Sequence, residues 1–125
     1  MKYKKMTFYC HNNLDVYGDW EDLKDFFIEN TTIDCVLNFG NNNVEIIDWE
    51  KELMDEEMEL FYCVFATDKV PPLDWLNDIG KKYNKLEFNL IYEIRERDVA
   101  GEVIYKNGKL YHNFETIEDN CEQVL

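Results

Sequence analysis

Few side chains in this sequence have the types and spacing that chemistry requires. Serine is absent, so no serine nucleophile exists. Cys10, Cys35, Cys63 and Cys121 stand far apart with no Cys-x-x-Cys, a pattern of reduced thiols rather than of a disulfide framework. Cys10, His11 and His112 are the conceivable metal ligands, but neither histidine follows a zinc-motif spacing. Asn41-Asn42-Asn43 and the nearby acids lack the Asp-x-Asp-x-Asp-Gly calcium pattern. Gly40 and Gly101 stand singly, without a phosphate-cradling loop. Glu93, Glu96 and Glu102 are the candidates for paired carboxylates in acid–base work. Tyr92, Tyr105 and Tyr111 are the candidates for stacking on bases, and Lys81, Lys82 and Lys85 form the one basic patch of note. No catalytic signature emerges, and the expectation is a protein that is not an enzyme and holds no metal or cofactor.

The strongest signal is charge. Twenty-seven acidic side chains oppose 13 basic ones, a net of −14 on 125 residues. Direct nucleic-acid binding needs a basic footprint to displace counterions, so this balance argues against it. Between Glu45 and Glu59, eight acidic residues (Glu45, Asp48, Glu50, Glu52, Asp55, Glu56, Glu57, Glu59) face a single base, Lys51. On a helix, Glu52, Asp55, Glu56 and Glu59 share one face, where like charges repel by roughly a few tenths of a kcal/mol per pair. Such a row offers carboxylates to Lys or Arg side chains that normally hold phosphates, by a salt-sensitive encounter. The plainer reading is a solvated face. Met54 and Met58 read either as core or as an adaptable apolar patch beside the acids.

The elements follow from periodicity. Met6–Tyr17 alternates as a strand, with polar Asn12 interrupting the apolar face. After Gly18, Asp19 is a good N-cap for an amphipathic helix ending near Asn30. Ile33–Phe39 and Val44–Ile47 suit short strands around Gly40–Asn43. Trp49–Leu60, rich in Glu, Met and Leu, is expected to be a helix. Leu60–Thr67 is apolar on both faces and reads as a central strand. Pro71-Pro72 suits the start of a helix bearing Leu73, Leu76, Ile79 and Tyr83, weakened by Gly80. Leu86–Arg95 alternates as a half-buried strand. Val99–Tyr105 and Leu110–Phe114 flank Asn107-Gly108, a strong hairpin signal. The tail 115–125 is acidic, frayed or briefly helical. The expected architecture is a single α+β domain, a ferredoxin-like sandwich with helices on one face of a mainly antiparallel sheet and an added C-terminal hairpin.

These segments are also familiar as a set. FYCHNNLDVYGD, FATDKVPPLDWLNDIGKKYNKLEFNLIYE and AGEVIYKNGKL resemble the aromatic strand, Pro-Pro, Trp-Leu helix, Lys-Tyr, Tyr-Glu strand and glycine-containing hairpin of the YubB-type ferredoxin-like domain of plasmid and phage proteins. The resemblance spans roughly residues 6–30 and 60–112. It implies a fold and a mobile-element origin, and it assigns no catalytic residue. Despite the fold's name, the cysteine runs of an iron–sulfur cluster are absent. Where relatives carry a Gly/Trp-rich strand segment, this chain reads NNNVEIIDWEKELMDEEMEL.

The function expected from charge and resemblance together is that of an acidic phage or mobile-element protein. It would bind and inhibit a basic, nucleic-acid-binding host defence protein, in the manner of an anti-CRISPR nucleic-acid mimic. The alternatives are a homo-oligomeric regulatory or structural module, a homodimer for instance, and a small nucleotide-ligand binder or enzyme. No apolar run is long enough to span a bilayer, no signal peptide is recognisable, and anionic leaflets repel such a chain, so the host cytoplasm is the expected location.

Overall fold

The computed structural model describes residues 9–31, 37 and 46–116, with the backbone alone described at 46–48, 50–52 and 114–116. The alternation in the first strand, β1 (Tyr9–Tyr17), buries Cys10, Asn12, Leu14 and Val16 completely. Asn12, the polar interruption, is fully occupied. The two hydrogens of its Nδ2 are shared among the Phe65 carbonyl (3.4 Å), the Cys10 carbonyl (3.1 Å) and Thr67 Oγ1 (3.0 Å). Its Oδ1 accepts from Cys10 Sγ at 3.5 Å. A buried amide costs little when its groups are bonded, and these partners fix how β1 lies against its neighbour.

After Gly18, helix α1 (Trp20–Asn30) turns Leu23 and Phe26 into the core. The strand expected at Ile33–Phe39 lies outside the described residues except for Leu37, which is buried and bridged to Thr31. The expected strand Val44–Ile47 is described only at its last two positions, which open β2 (Ile46–Asp55).

Here the structure corrects the sequence reading, because Trp49–Leu60 is not a helix. Residues up to Asp55 form β2, a turn follows, and Leu60 begins β3 (Leu60–Asp68). Helix propensity is a weak preference, and two forces override it. The like-charged stripe that a helix would create is repulsive. In addition, β3 has a second edge to fill, and β2 fills it with an antiparallel ladder from Ile46↔Thr67 to Asp55↔Leu60. Two register shifts, between Ile46 and Asp48 and between Trp49 and Lys51, break the period-two pattern that would have betrayed the strand. Trp49 stacks on Phe65 (centroids 5.4 Å apart) and Met54 packs on the core, while Leu53 points outward.

Helix α2 (Leu73–Lys82) starts directly after Pro71-Pro72 and buries Trp75, Leu76 and Ile79. Strand β4 (Glu87–Ile94) buries Phe88, Leu90, Tyr92 and Ile94 in strict alternation. A 3₁₀ turn at Arg95–Arg97 leads to β5 (Val99–Lys106), which pairs with β6 (Lys109–Thr116). Asn107 (φ 53°) and Gly108 (φ 79°) both take the left-handed conformation that a two-residue type I′ turn demands.

The described residues form an α+β structure of two helices and a six-stranded antiparallel sheet in the order β2-β3-β1-β4-β5-β6. Both helices cover the face that carries Leu14, Phe61, Phe65, Phe88 and Val103. Phe26 sits at its centre, edge-on to Phe61, Tyr83 and Phe88 at 5.4–6.0 Å.

Tyr105 gives the packing a test. Its ring lies so close to Gly80 that an added Cβ would sit 2.3 Å from Tyr105 Cδ1, while its buried hydroxyl has no hydrogen-bond partner among the described residues. Gly80→Ala should therefore lower stability by about 1–3 kcal/mol, because overpacking outweighs the gain of roughly 1 kcal/mol that alanine brings to a helix. Tyr105→Phe should leave stability unchanged or raise it, since it removes an unbonded buried oxygen. Thermal and urea unfolding of both variants measure these effects.

Candidate functional site at the acidic end of the sheet

The turn between β2 and β3 is built from its own carboxylates. Asp55 Oδ1 accepts from the Met58 amide (3.1 Å), the Glu59 amide donates to the Glu56 carbonyl (3.2 Å), and Glu59 takes a left-handed φ of 51°. This conformation lets Glu59 reach across the chain. Its Oε2 accepts from the Trp20 amide, the first of α1, at 3.2 Å. Asp19, read from sequence as the N-cap, occupies that position without making a side-chain cap bond. The positive end of α1 is thus met by a carboxylate from 39 residues away.

This contact gathers acids that are remote in sequence. Asp55, Glu56, Glu57 and Glu59 of the turn join Asp19, Glu21 and Asp22 at the start of α1, at the end of the sheet where Tyr17 pairs with Leu60. Among the described residues, the ion pair found for these acids is Glu21 with Lys24 (3.4 Å), and both side chains are largely exposed. Glu56, Glu57 and Glu59 are exposed. Lys82 and Lys85 border the cluster, lining with Asp22 and Tyr83 a cavity of about 190 Å³.

The predicted acidic stripe is therefore redistributed. Glu45 lies outside the described residues. Asp48 and Glu52 stand on β2 opposite Ala66 and Cys63, and Glu50 falls in the second register shift, so these three share no helical face with the turn. Met54 and Met58 part company, Met54 against the core and Met58 65 % exposed in the turn. Sequence reasoning missed the contribution of Asp19, Glu21 and Asp22. Their signal is a pairing of β1 with β3, which no local pattern announces.

The other candidates also resolve. Cys10 points into the core and His11, its neighbour on β1, lies on the opposite face, so they share no site. Burial pushes the Cys10 thiol up to about 12, only partly offset by Thr67, which removes it as a thiolate. His112 Nε2 instead lies 2.7 Å from the Tyr92 hydroxyl. No group of three or more metal-ligating side chains occurs among the described residues. Glu93 and Glu102 stand diagonally on adjacent strands, with Glu93 bonded to Arg95 Nε (3.1 Å), while Glu96 lies apart in the 3₁₀ turn. Of the three tyrosines, Tyr92 and Tyr105 are buried and only Tyr111 is exposed. No described helix is long and apolar enough to cross a membrane.

No protein-family model, curated protein or solved structure matches the chain.

At its far end the acidic helix is clasped by Tyr83. Its hydroxyl donates to Glu29 and accepts from Asn30 Nδ2 (3.0 Å). Burial first, and then the bond to Glu29, push the phenol up to about 12 from its usual value near 10. The folded state thus favours the neutral phenol. The stability it confers is complete below pH 10 and is lost as pH rises through about 12. Urea unfolding between these pH values should show a falling midpoint, and Tyr83→Phe should lessen that fall. Glu59→Gln should cost about 0.5 kcal/mol at low ionic strength and less in high salt, the signature of a carboxylate on a helix dipole.

Proposed function

We propose that this protein is a ferredoxin-like, mobile-element or phage protein that acts by binding rather than by catalysis. Its target is a basic, nucleic-acid-binding host defence protein such as a CRISPR effector, met in the host cytoplasm. The fold part of this reading is supported by the chain order β1-α1-β2-β3-α2-β4 and the sheet order β2-β3-β1-β4, the split-βαβ plan to which β5 and β6 are appended. The resemblance to YubB-type domains supports the origin.

The observation that carries the functional reading is the acidic end itself. Two segments that are each acidic are tied together by Glu59 on the Trp20 amide, on a surface with little internal neutralisation. Holding like charges together is unfavourable, and a partner presenting Lys and Arg relieves that cost. Carboxylates at a hydrogen-bonded turn and a helix start can occupy positions that phosphates would otherwise take. The mechanism is occlusion of a nucleic-acid channel.

Glu56 and Glu57 separate binding from folding, because neither side chain makes a hydrogen bond or ion pair with a described residue. The double variant Glu56→Lys, Glu57→Lys should retain the wild-type circular dichroism and unfolding midpoint. It should lose inhibition of DNA binding by a purified, guide-loaded CRISPR effector, and wild-type inhibition should weaken steadily as salt is raised. Wild-type protein that leaves such effectors untouched at low salt would overturn the reading.

A further inference from the structure

The two edges of the sheet are built differently. The β2 edge is blunted against pairing, since it carries two register shifts and the acids Asp48, Glu50, Glu52 and Asp55 within ten residues. Among the described residues, the β6 edge has no such protection. All eight of its residues pair with β5 in unbroken register, and it contains no proline and no bulge. It also exposes Leu110 (37 %) and Tyr111 (53 %). On a chain of net charge −14, this strand carries one base, Lys109, and one acid, Glu115. No described strand lies beyond it.

The hairpin geometry sets what fits that edge. A two-residue turn makes Lys106 and Lys109 a hydrogen-bonded pair, so positions 109, 111, 113 and 115 bond inward to β5. Backbone groups at the even positions, Leu110 and Phe114 among them, therefore point to the outer edge. An added antiparallel strand must pair even positions with even ones. A second copy of β6 meets this rule about a two-fold axis through position 112. That register sets Leu110 opposite Phe114, and it sets Lys109 opposite Glu115 of the second copy at both ends. The edge is its own complement in hydrogen bonds and in charge.

We infer that this protein forms a two-fold dimer through β6, joining two sheets into one of twelve antiparallel strands. The inference does not rest on the acidic end, which lies on other elements and stays exposed in both copies.

The test is a charge exchange read by sedimentation velocity over a concentration series. Wild-type protein should be a dimer at tens of micromolar. Lys109→Glu sets acid against acid at both ends of the interface and should weaken the dimer about tenfold. The monomer is not weakened, because the Lys106/Lys109 like-charge pair of the hairpin is relieved. Glu115→Lys should weaken the dimer similarly, and the double exchange should restore it. Hydrogen exchange gives a second readout. The Leu110 and Phe114 amides should lose protection on dilution, while Tyr111 and Asn113 keep theirs. A monomer at all concentrations, a dimer indifferent to the single exchanges, or edge protection independent of concentration would each overturn the inference. The Glu56/Glu57 variant should dimerise like wild type, so failure here and failure of the binding function are distinguishable.

Discussion

A strand that is apolar on both faces has nowhere to go but the interior of a sheet, and β3 is such a strand. Phe61, Cys63 and Phe65 lie buried beneath the helices, and Ala66 is buried on the opposite face. Both backbone edges must then be paired as well. β1 takes one edge in a nine-residue ladder and β2 takes the other. The acidic segment is therefore drawn into strand despite its helix-forming composition. The short return from Asp55 to Leu60 puts Glu59 beside α1, so the acidic end follows from the same constraint.

The legible parts of the sequence were those whose signals are local. Clean alternation in β1 and β4, the double proline before α2 and the Asn-Gly turn each encode their element within a few residues, and the structure places those elements where they were expected. The hidden parts depend on contacts remote in sequence. In β2 the bulges shift Trp49 and Met54 out of simple alternation, and Glu, Met and Leu lend the segment helical character. Asn12 looked like a flaw in an apolar face, yet two of the three acceptors that share its Nδ2 hydrogens lie on β3, some fifty residues on. The acidity of the candidate surface was visible as composition, but its shape was not. Three of its seven acids, Asp19, Glu21 and Asp22, come from the start of α1, and only the β1–β3 register brings that helix start to the turn.

Charge and packing occupy separate layers. The core is almost entirely apolar, its buried polar side chains being Asn12, Asn30 and Thr67 among the described residues. Asn12 and Thr67 bond to each other, and Asn30 bonds to Phe26 and Tyr83. The excess of acids is borne by turns, helix surfaces and the outer strand β2. Such a division lets surface charge vary without disturbing the rings around Phe26. It also leaves the chain with two unlike outer strands, one acidic and irregular, the other neutral and regular.

The central position of β1 has a consequence for biosynthesis. The first of the described strands pairs with β3 on one side and β4 on the other, and Asn12 bonds across 53 residues to Phe65. During vectorial synthesis, β1 and α1 emerge long before either neighbour exists. The β2–β3 and β5–β6 hairpins close locally, whereas the middle of the sheet waits for distant chain. β1, made before both of its neighbours, is thus among the last of the described strands to be enclosed. Over that interval its alternating face of Cys10, Leu14 and Val16 lacks the covering of β3 and β4 on either side.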